Sequence, residues 1–319
     1  DVHTLVLSPG LSPLEPTLAA FLAQARERGI EIIGEIELFA RALKDLADQG
    51  QESRVLAVTG TNGKTTVTAM TRHLLEQAGI SALAVGNISP AALTALCDAL
   101  ESQALPQVWV LELSSFQLDS TFSLRADAAV VLNISQDHLD WHGGMDAYVQ
   151  SKQRLYGMCD VALVNRDDPV VMAMIPDASQ ESVRSFGLDK PVLLGDLGLQ
   201  TDGGMQWLVA NEPTDFELPA TGLKKRNAPV EPAVRGKGGL KRLMPVEALQ
   251  IKGRPNALNA QAALLLARGL GLGWGELPNG LRRCQGEPHR VELVRVLDGV
   301  QYLDDSKGMG KGFATVEYN

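Results

Sequence analysis

Short, nearly continuous apolar runs alternate along this chain with longer stretches in which apolar residues recur every three or four positions. The runs Thr4 to Leu7, Glu31 to Ile33, Val55 to Thr59, Ser81 to Val85, Gln107 to Leu113, Ala126 to Ile134 and Val161 to Asn165 have strand length. Between them, Leu14 to Arg28, Glu35 to Leu46, Thr65 to Gln77, Pro90 to Leu100 and Met145 to Met158 have the spacing of amphipathic helices. This alternation predicts an α/β fold with a central, mostly parallel sheet wrapped by helices, because parallel neighbours require crossover connections. From Ser182 to Gln250 the pattern weakens into short pieces rich in Gly and Pro, which predicts antiparallel strands and loops. Asn256 to Gly271 then reads as an Ala/Leu helix, and Leu293 to Leu297 and Val300 to Leu303 flank Asp298-Gly299 as a hairpin. The polar break Gly50-Gln51-Glu52 suggests a domain boundary.

Composition narrows the class. The 319 residues suit about two domains, and 45% hydrophobic content argues against disorder. With a mean hydropathy close to zero and no apolar run of bilayer length, a membrane protein is not expected. No secretory-signal pattern opens the chain, so the expectation is a cytoplasmic protein, taken as a monomer. Asp1 stands directly before the first strand pattern, and a preceding segment is expected. Cys97, Cys159 and Cys284 are too scattered for a disulfide framework and read as packing residues. A net charge of −9 argues against general nucleic-acid affinity, so an anionic substrate would need a focused positive site. Lys224, Lys225, Arg226, Arg235, Lys237, Lys241 and Arg242 form a basic stretch without interleaved aromatics, which reads as a solvated insertion.

The candidate chemistry starts where the run Val55 to Thr59 stops at Gly60-Thr61-Asn62-Gly63-Lys64-Thr65-Thr66. A Gly-rich turn between strand and helix cradles phosphate with backbone N–H groups, a lysine neutralises charge on the β/γ-phosphates, and the first hydroxyl after it can bind Mg²⁺. The strict pattern requires a glycine five positions before Gly63, where Val58 stands, so this loop is a shorter variant. Taken alone, Gly60 and Gly63 are also ordinary turn residues. In a parallel sheet, ligands collect at the carboxyl ends of strands, and Gly86-Asn87, Glu112 to Ser115 and Asp137-His138 follow other predicted strands. Glu112 is either a solvated strand end or, opposite the loop, a Mg²⁺ ligand paired with Thr65. His138 is either a turn cap or a ligand, and Lys152 taken alone is a solvated helix lysine.

Several motifs carry a resemblance beyond the loop. Gly34 to Phe39, Leu111-Glu112-Leu113-Ser114-Ser115-Phe116-Gln117-Leu118, Leu132 to Asp140, Ser151 to Tyr156, Gly253 to Ala260, Pro288 to Glu292 and Asp304 to Gly308 resemble the Mur ligases, ATP-dependent amide-forming enzymes of peptidoglycan precursor synthesis. The loop itself is shared with folylpolyglutamate synthases, whereas the other motifs look like the branch that adds D-glutamate to UDP-N-acetylmuramoyl-L-alanine. The resemblance implies that Lys64 binds ATP phosphates, that Thr65 and Glu112 hold one Mg²⁺, and that His138 helps hold a second. It implies a carbamylated lysine at Lys152, with Lys64, His138 and Lys152 catalytic. Asn259, Arg290, Asp305 and Lys307 match nucleotide contacts, and Gly10, Asn87 and Ser114 match positions near the UDP-linked substrate. The implied organisation is a partial N-terminal UDP-substrate domain of Rossmann-like type over 1–45, a central ATP-binding domain over 46–287, and the start of a C-terminal domain over 288–319. After Gly308 the tail Met309 to Asn319 departs from the family pattern. The expectation is a chain truncated at both ends and impaired in ligation; the alternatives are an ATP-binding fragment without ligase activity, or another Mur-type or folylpolyglutamate synthase-like ligase.

Overall fold

The computed structural model describes residues 2–213 and 235–285 in full and, beyond them, the backbones of 292–297 and 300–304. Strands β1 (Thr4–Val6) and β2 (Glu31–Ile33) pair in parallel across the crossover helix α1 (Pro16–Glu27). After α2 (Glu35–Asp48) come β3 (Arg54–Thr59), α3 (Lys64–Gln77), β4 (Ala82–Gly86), α4 (Ala92–Glu101) and β5 (Val108–Glu112). The chain continues through α5 (Ser115–Asp119), β6 (Ala126–Val131), α6 (Leu139–His142), α7 (Met145–Gln153), β7 (Cys159–Asn165), α8 (Pro169–Ala173) and β8 (Val183–Phe186). These strands form one six-stranded sheet in the order β4-β5-β3-β6-β7-β8, parallel throughout.

The predicted parallel sheet is therefore present, with one correction at its edge. Val183–Phe186 was expected among the antiparallel pieces, yet β8 joins β7 in parallel. The crossover through α8 is long enough to return the chain in the same direction, which a tight turn cannot do. Beyond it, β9 (Leu197–Asp202), β10 (Met205–Glu212) and β11 (Gly239–Pro245) make the expected antiparallel sheet. Helices α9 (Arg254–Gly269) and α10 (Leu277–Arg283) follow. The predicted hairpin is present as β12 (Glu292–Leu297) paired antiparallel with β13 (Val300–Asp304); Asp298 and Gly299 lie outside the described residues.

Because side chains alternate across a strand, β3 serves two cores at once. Leu56 and Val58 pack with Val67, Met70 and Leu74 of α3 and Ala260 and Leu264 of α9, while Val55 and Ala57 face Phe39 of α2 and Ala95 and Leu96 of α4. Burial on both faces explains why these strands read as continuous apolar runs. Helix α2 belongs to the second core through Ile36, Phe39 and Ala40, with Phe39 edge-on to Trp109 at 5.3 Å between ring centres. The junction expected at 45/46 falls inside this helix. Cys284 is buried and Cys159 half-buried, but Cys97 is exposed on α4 and so is not the packing residue expected.

Glu37 ties α2 to the segment before β6. Its buried carboxylate accepts from the N–H groups of Phe122 (2.7 Å) and Ser123 (2.9 Å), the Ser123 hydroxyl (2.8 Å) and Arg41 Nε (2.8 Å). Burial alone would raise its pKa, but those N–H groups, the hydroxyl and Arg41 outweigh it and hold the carboxyl below its ordinary value. Glu37→Ala strips a partner from two backbone donors and is expected to cost about 2–4 kcal/mol, read as a lower urea midpoint. The wild-type contribution is complete above the ordinary value of 4.5 and is lost as pH falls through the lower folded value. A midpoint unchanged by the substitution at pH 7 would contradict this account.

Candidate active site

The chain after β3, β4, β5 and β6 meets α7 and α9 at the carboxyl edge of the sheet. Gly60 (φ 146°) and Gly63 (φ 85°) both take backbone conformations that side-chain-bearing residues avoid, and Gly63 caps α3. A Cβ on Gly63 would lie 2.7 Å from the Asn259 Oδ1 of α9, so the bare glycine lets that helix approach the loop. The segment after β6 braces the turn: Thr61 N donates to Asn133 O (2.9 Å), Asn62 N to Asn133 Oδ1 (2.9 Å), and Asn133 Nδ2 back to Asn62 O (3.0 Å). Ser135 N donates to Thr61 Oγ1 (3.0 Å), which also lies 2.9 Å from the Tyr148 hydroxyl. A loop held at so many points aims the first turn of α3, with its positive dipole end, without further ordering.

The charged groups sit directly around this turn. Lys64 Nζ donates to the carbonyls of Gly60 (3.1 Å) and Thr61 (3.0 Å). Thr65 Oγ1 donates to Glu112 Oε2 at 2.7 Å, and Asn87 Nδ2 donates to Glu112 Oε1 at 3.2 Å. Glu112 is thus not a solvated strand end: it is 2% exposed and oriented from both sides. Lys152 is not solvated either. It is 2% exposed, donates to Thr59 Oγ1 (3.2 Å) and Gly60 O (3.1 Å), and lies 4.9 Å from the centre of the Tyr148 ring. Burial and then the Lys64 charge push its pKa down to about 7, against the opposing pull of Asp137 and Glu112. A lysine shifted this far gives up its proton far more readily than a solvated one.

His138 stands at a turn, but its side chain makes no capping hydrogen bond. It is the N-cap of α6 in a left-handed conformation (φ 49°), with Nε2 3.3 Å from Asp137 Oδ2 and its ring 4.7 Å from that of Phe116. Ser114 caps α5, accepting from Gln117 N in a capping box, at the strand end that carries Glu112. Gly10 lies in an exposed turn near the N-terminus. Asn259 donates to Asn256 Oδ1 (3.0 Å) and faces Gly63. Arg290, Asp305 and Lys307 lie outside the described residues, as does the basic stretch at Lys224, Lys225 and Arg226.

The structure also gives a place at the site to residues that had no individual role in the sequence reading: Asn133 and Ser135, inside the motif Leu132 to Asp140, and Tyr148. Tyr148 was findable, since it stands four positions before Lys152 and so shares its helix face. Asn133 and Ser135 gave no local signal, because their partners are more than seventy residues away.

Residues 58–226 match the model of the Mur ligase middle domain. The chain belongs to the Mur ligase family. Curated relatives named UDP-N-acetylmuramoylalanine–D-glutamate ligase include a protein of Bordetella avium, 59% identical over 99% of this chain and 61% of its own length. Another, from Paraburkholderia phymatum, is 50% identical over 99% of this chain and 62% of its own. The chain spans about three fifths of the length of the relatives it matches. Solved structures agree on the fold: MurF from Acinetobacter baumannii (TM-score 0.57, 20% identity, covering 86% of this chain and 55% of that one) and the UDP-N-acetylmuramate-alanine ligase MurC from Thermotoga maritima (0.55, 19%, 95% and 60%).

A Mur ligase is implied to use ATP and Mg²⁺. The donor set fits that pair of ligands. Thr65 and Glu112 present hard oxygens beside the phosphate loop, and Mg²⁺ favours one or two protein oxygens together with phosphate oxygens and waters. No group of three or more His, Cys, Asp and Glu side chains suited to a metal exists among the described residues. The described residues also contain no helix long and apolar enough to cross a membrane.

Proposed function

We propose that this chain carries the ATP-binding centre of a cytoplasmic amide ligase that joins D-glutamate to UDP-N-acetylmuramoyl-L-alanine in peptidoglycan precursor synthesis. The observation that carries the reading is the convergence of Lys64, Thr65, Glu112 and Lys152 on one phosphate-type loop. The names of relatives at 50% to 59% identity support the choice of substrates.

In this reading the substrate carboxylate attacks the γ-phosphorus of ATP, ADP leaves, and the resulting acyl phosphate is attacked by the amine of D-glutamate with loss of phosphate and a proton. An anionic carboxylate approaches a polyanion only where charge is offset, and groups oriented in advance do this without reorganising. Lys64 would offset the charge of the β/γ-phosphates, and the first turn of α3 would supply N–H donors. Thr65 and Glu112 would hold one Mg²⁺, and His138 with Lys152 would hold a second; the metal would supply charge neutralisation and orientation of phosphate oxygens. An ammonium cannot ligate a cation. An uncharged Lys152 amine adds to CO₂ to give a carbamate and one proton, which converts the residue into an anionic oxygen ligand.

Asn259, Arg290, Asp305 and Lys307 are the remaining nucleotide contacts in this reading, and Gly10, Asn87 and Ser114 are its positions near the UDP-linked substrate. The organisation remains a UDP-substrate portion, a central ATP-binding portion and a C-terminal portion. The test is ADP release by a full-length version of the protein, matched in length to its relatives, with each candidate nucleotide-sugar and amino acid supplied in turn. Release that requires UDP-N-acetylmuramoyl-L-alanine and D-glutamate together supports the reading. Equal release with other pairs, or none with this one, defeats it.

A further inference from the structure

Asn87 stands in the turn after β4, at a position that the resemblance puts near the substrate, and its side chain also reaches the protein. Gly86 lies beside Glu112 in the β4–β5 register, and Asn87 N donates to the Glu112 carbonyl at 2.8 Å. A Cβ on Gly86 would fall 2.3 Å from that same carbonyl, so the turn is built against the end of β5 as closely as backbone allows. From this platform the Asn87 amide reaches Glu112 Oε1 at 3.2 Å, while Thr65 reaches Oε2 at 2.7 Å.

The two contacts are not equivalent. Thr65 belongs to the phosphate loop and is itself a hard-oxygen donor to a cation, so its hydroxyl is shared between the ion and the carboxylate. Asn87 has no such second duty toward Oε1. An amide donor on one oxygen fixes the plane of a carboxylate and would leave the other oxygen for a cation; partners of this kind around metal ligands contribute strongly to affinity. A carboxylate that is 2% exposed cannot exchange that donor freely for water.

We propose that Asn87 is a positioning residue for the Glu112 carboxylate, which sets the affinity of the loop for a divalent cation bound with nucleotide. The inference rests on the reading of Glu112 as a Mg²⁺ ligand and adds to it a residue that itself touches no metal. Because the Asn87 N–H contact is made by backbone, Asn87→Ala and the near-isosteric Asn87→Leu keep the turn and remove only the amide.

The experiment uses the 319-residue chain, with Mn²⁺ as the probe and ADP as the nucleotide. Mn²⁺ affinity in the presence of ADP is measured by electron paramagnetic resonance, and ADP affinity without metal by calorimetry. Both Asn87 variants are expected to weaken Mn²⁺ binding about 10- to 100-fold while metal-free ADP affinity stays within about twofold. A residue that merely stabilised the fold would move both affinities together, and that result overturns the proposal. Glu112→Gln separates this proposal from the reading beneath it. Should Glu112→Gln weaken Mn²⁺ binding more than about tenfold while both Asn87 variants stay within about twofold of wild type, Glu112 remains a ligand and the role of Asn87 is refuted. Should Glu112→Gln leave Mn²⁺ binding unchanged, the metal reading and this inference fall together.

Discussion

Lys152→Ala is expected to lower ligase turnover in a full-length version of the protein by about 10²-fold or more, with partial recovery on addition of formate or acetate. The residue is the most deeply committed charge at the site. It is buried, shares the Gly60 carbonyl with Lys64, and has a pKa pushed down to about 7 by burial and by the Lys64 charge. Such an amine reacts with CO₂ at neutral pH, whereas a solvated lysine stays protonated. Incubation of the present chain with ¹³C-bicarbonate should give a carbamate resonance that Lys152→Ala lacks. Full activity of the alanine variant without an additive would end the carbamate role. The same shift sets a pH dependence. Below about pH 7 the lysine is charged in both folded and unfolded chains and its burial penalty is complete; between about 7 and 10.5 only the unfolded chain holds the proton, so this penalty is relieved as pH rises. In CO₂-free buffer the stability of wild type relative to Lys152→Met should therefore improve from pH 7 to pH 9. A constant difference in urea midpoint would mean that Lys152 keeps its ordinary pKa.

Lys64→Ala is expected to weaken ATP binding about 10- to 150-fold, the equivalent of 1.5–3 kcal/mol for a hydrogen bond to a charged partner. The loop itself should survive, since Asn133, Ser135 and Tyr148 hold it independently of Lys64. Loss of the Lys64 charge also removes the second cause of the depressed Lys152 pKa, so the Lys152 pKa should rise in this variant. Calorimetry with ATP checks the first effect and NMR titration of Lys152 the second. Unaltered ATP affinity would remove Lys64 from the phosphate site.

The parallel sheet and the loop were legible because both are written locally. Strands covered on two faces must be apolar along their whole length, and β3 and β5 show this as unbroken runs that end at Thr59 and Glu112. A turn that needs left-handed backbone at Gly63 has few residues to choose from. The role of β8 was less legible, because a short strand carries no mark of the direction in which its neighbour runs. The short helices α5 and α6 were also missed. Four or five residues cannot display a helical period, although the Ser114–Gln117 capping box that starts α5 was present in the letters.

What the residues could not disclose one at a time was environment. A lysine on a helix flank and a glutamate at a strand end look solvated; motif resemblance alone suggested otherwise for Lys152, and for Glu112 its place opposite the loop did so as well. Their burial is created when α7 packs across the end of β3 and when Asn87 and Thr65 close on β5, contacts between segments 25 to 93 positions apart. Periodicity and turn chemistry, acting over a few residues, determined the elements and the phosphate cradle. Only tertiary packing decided which charges lose water, because desolvation depends on neighbours that the chain brings together after those elements have formed.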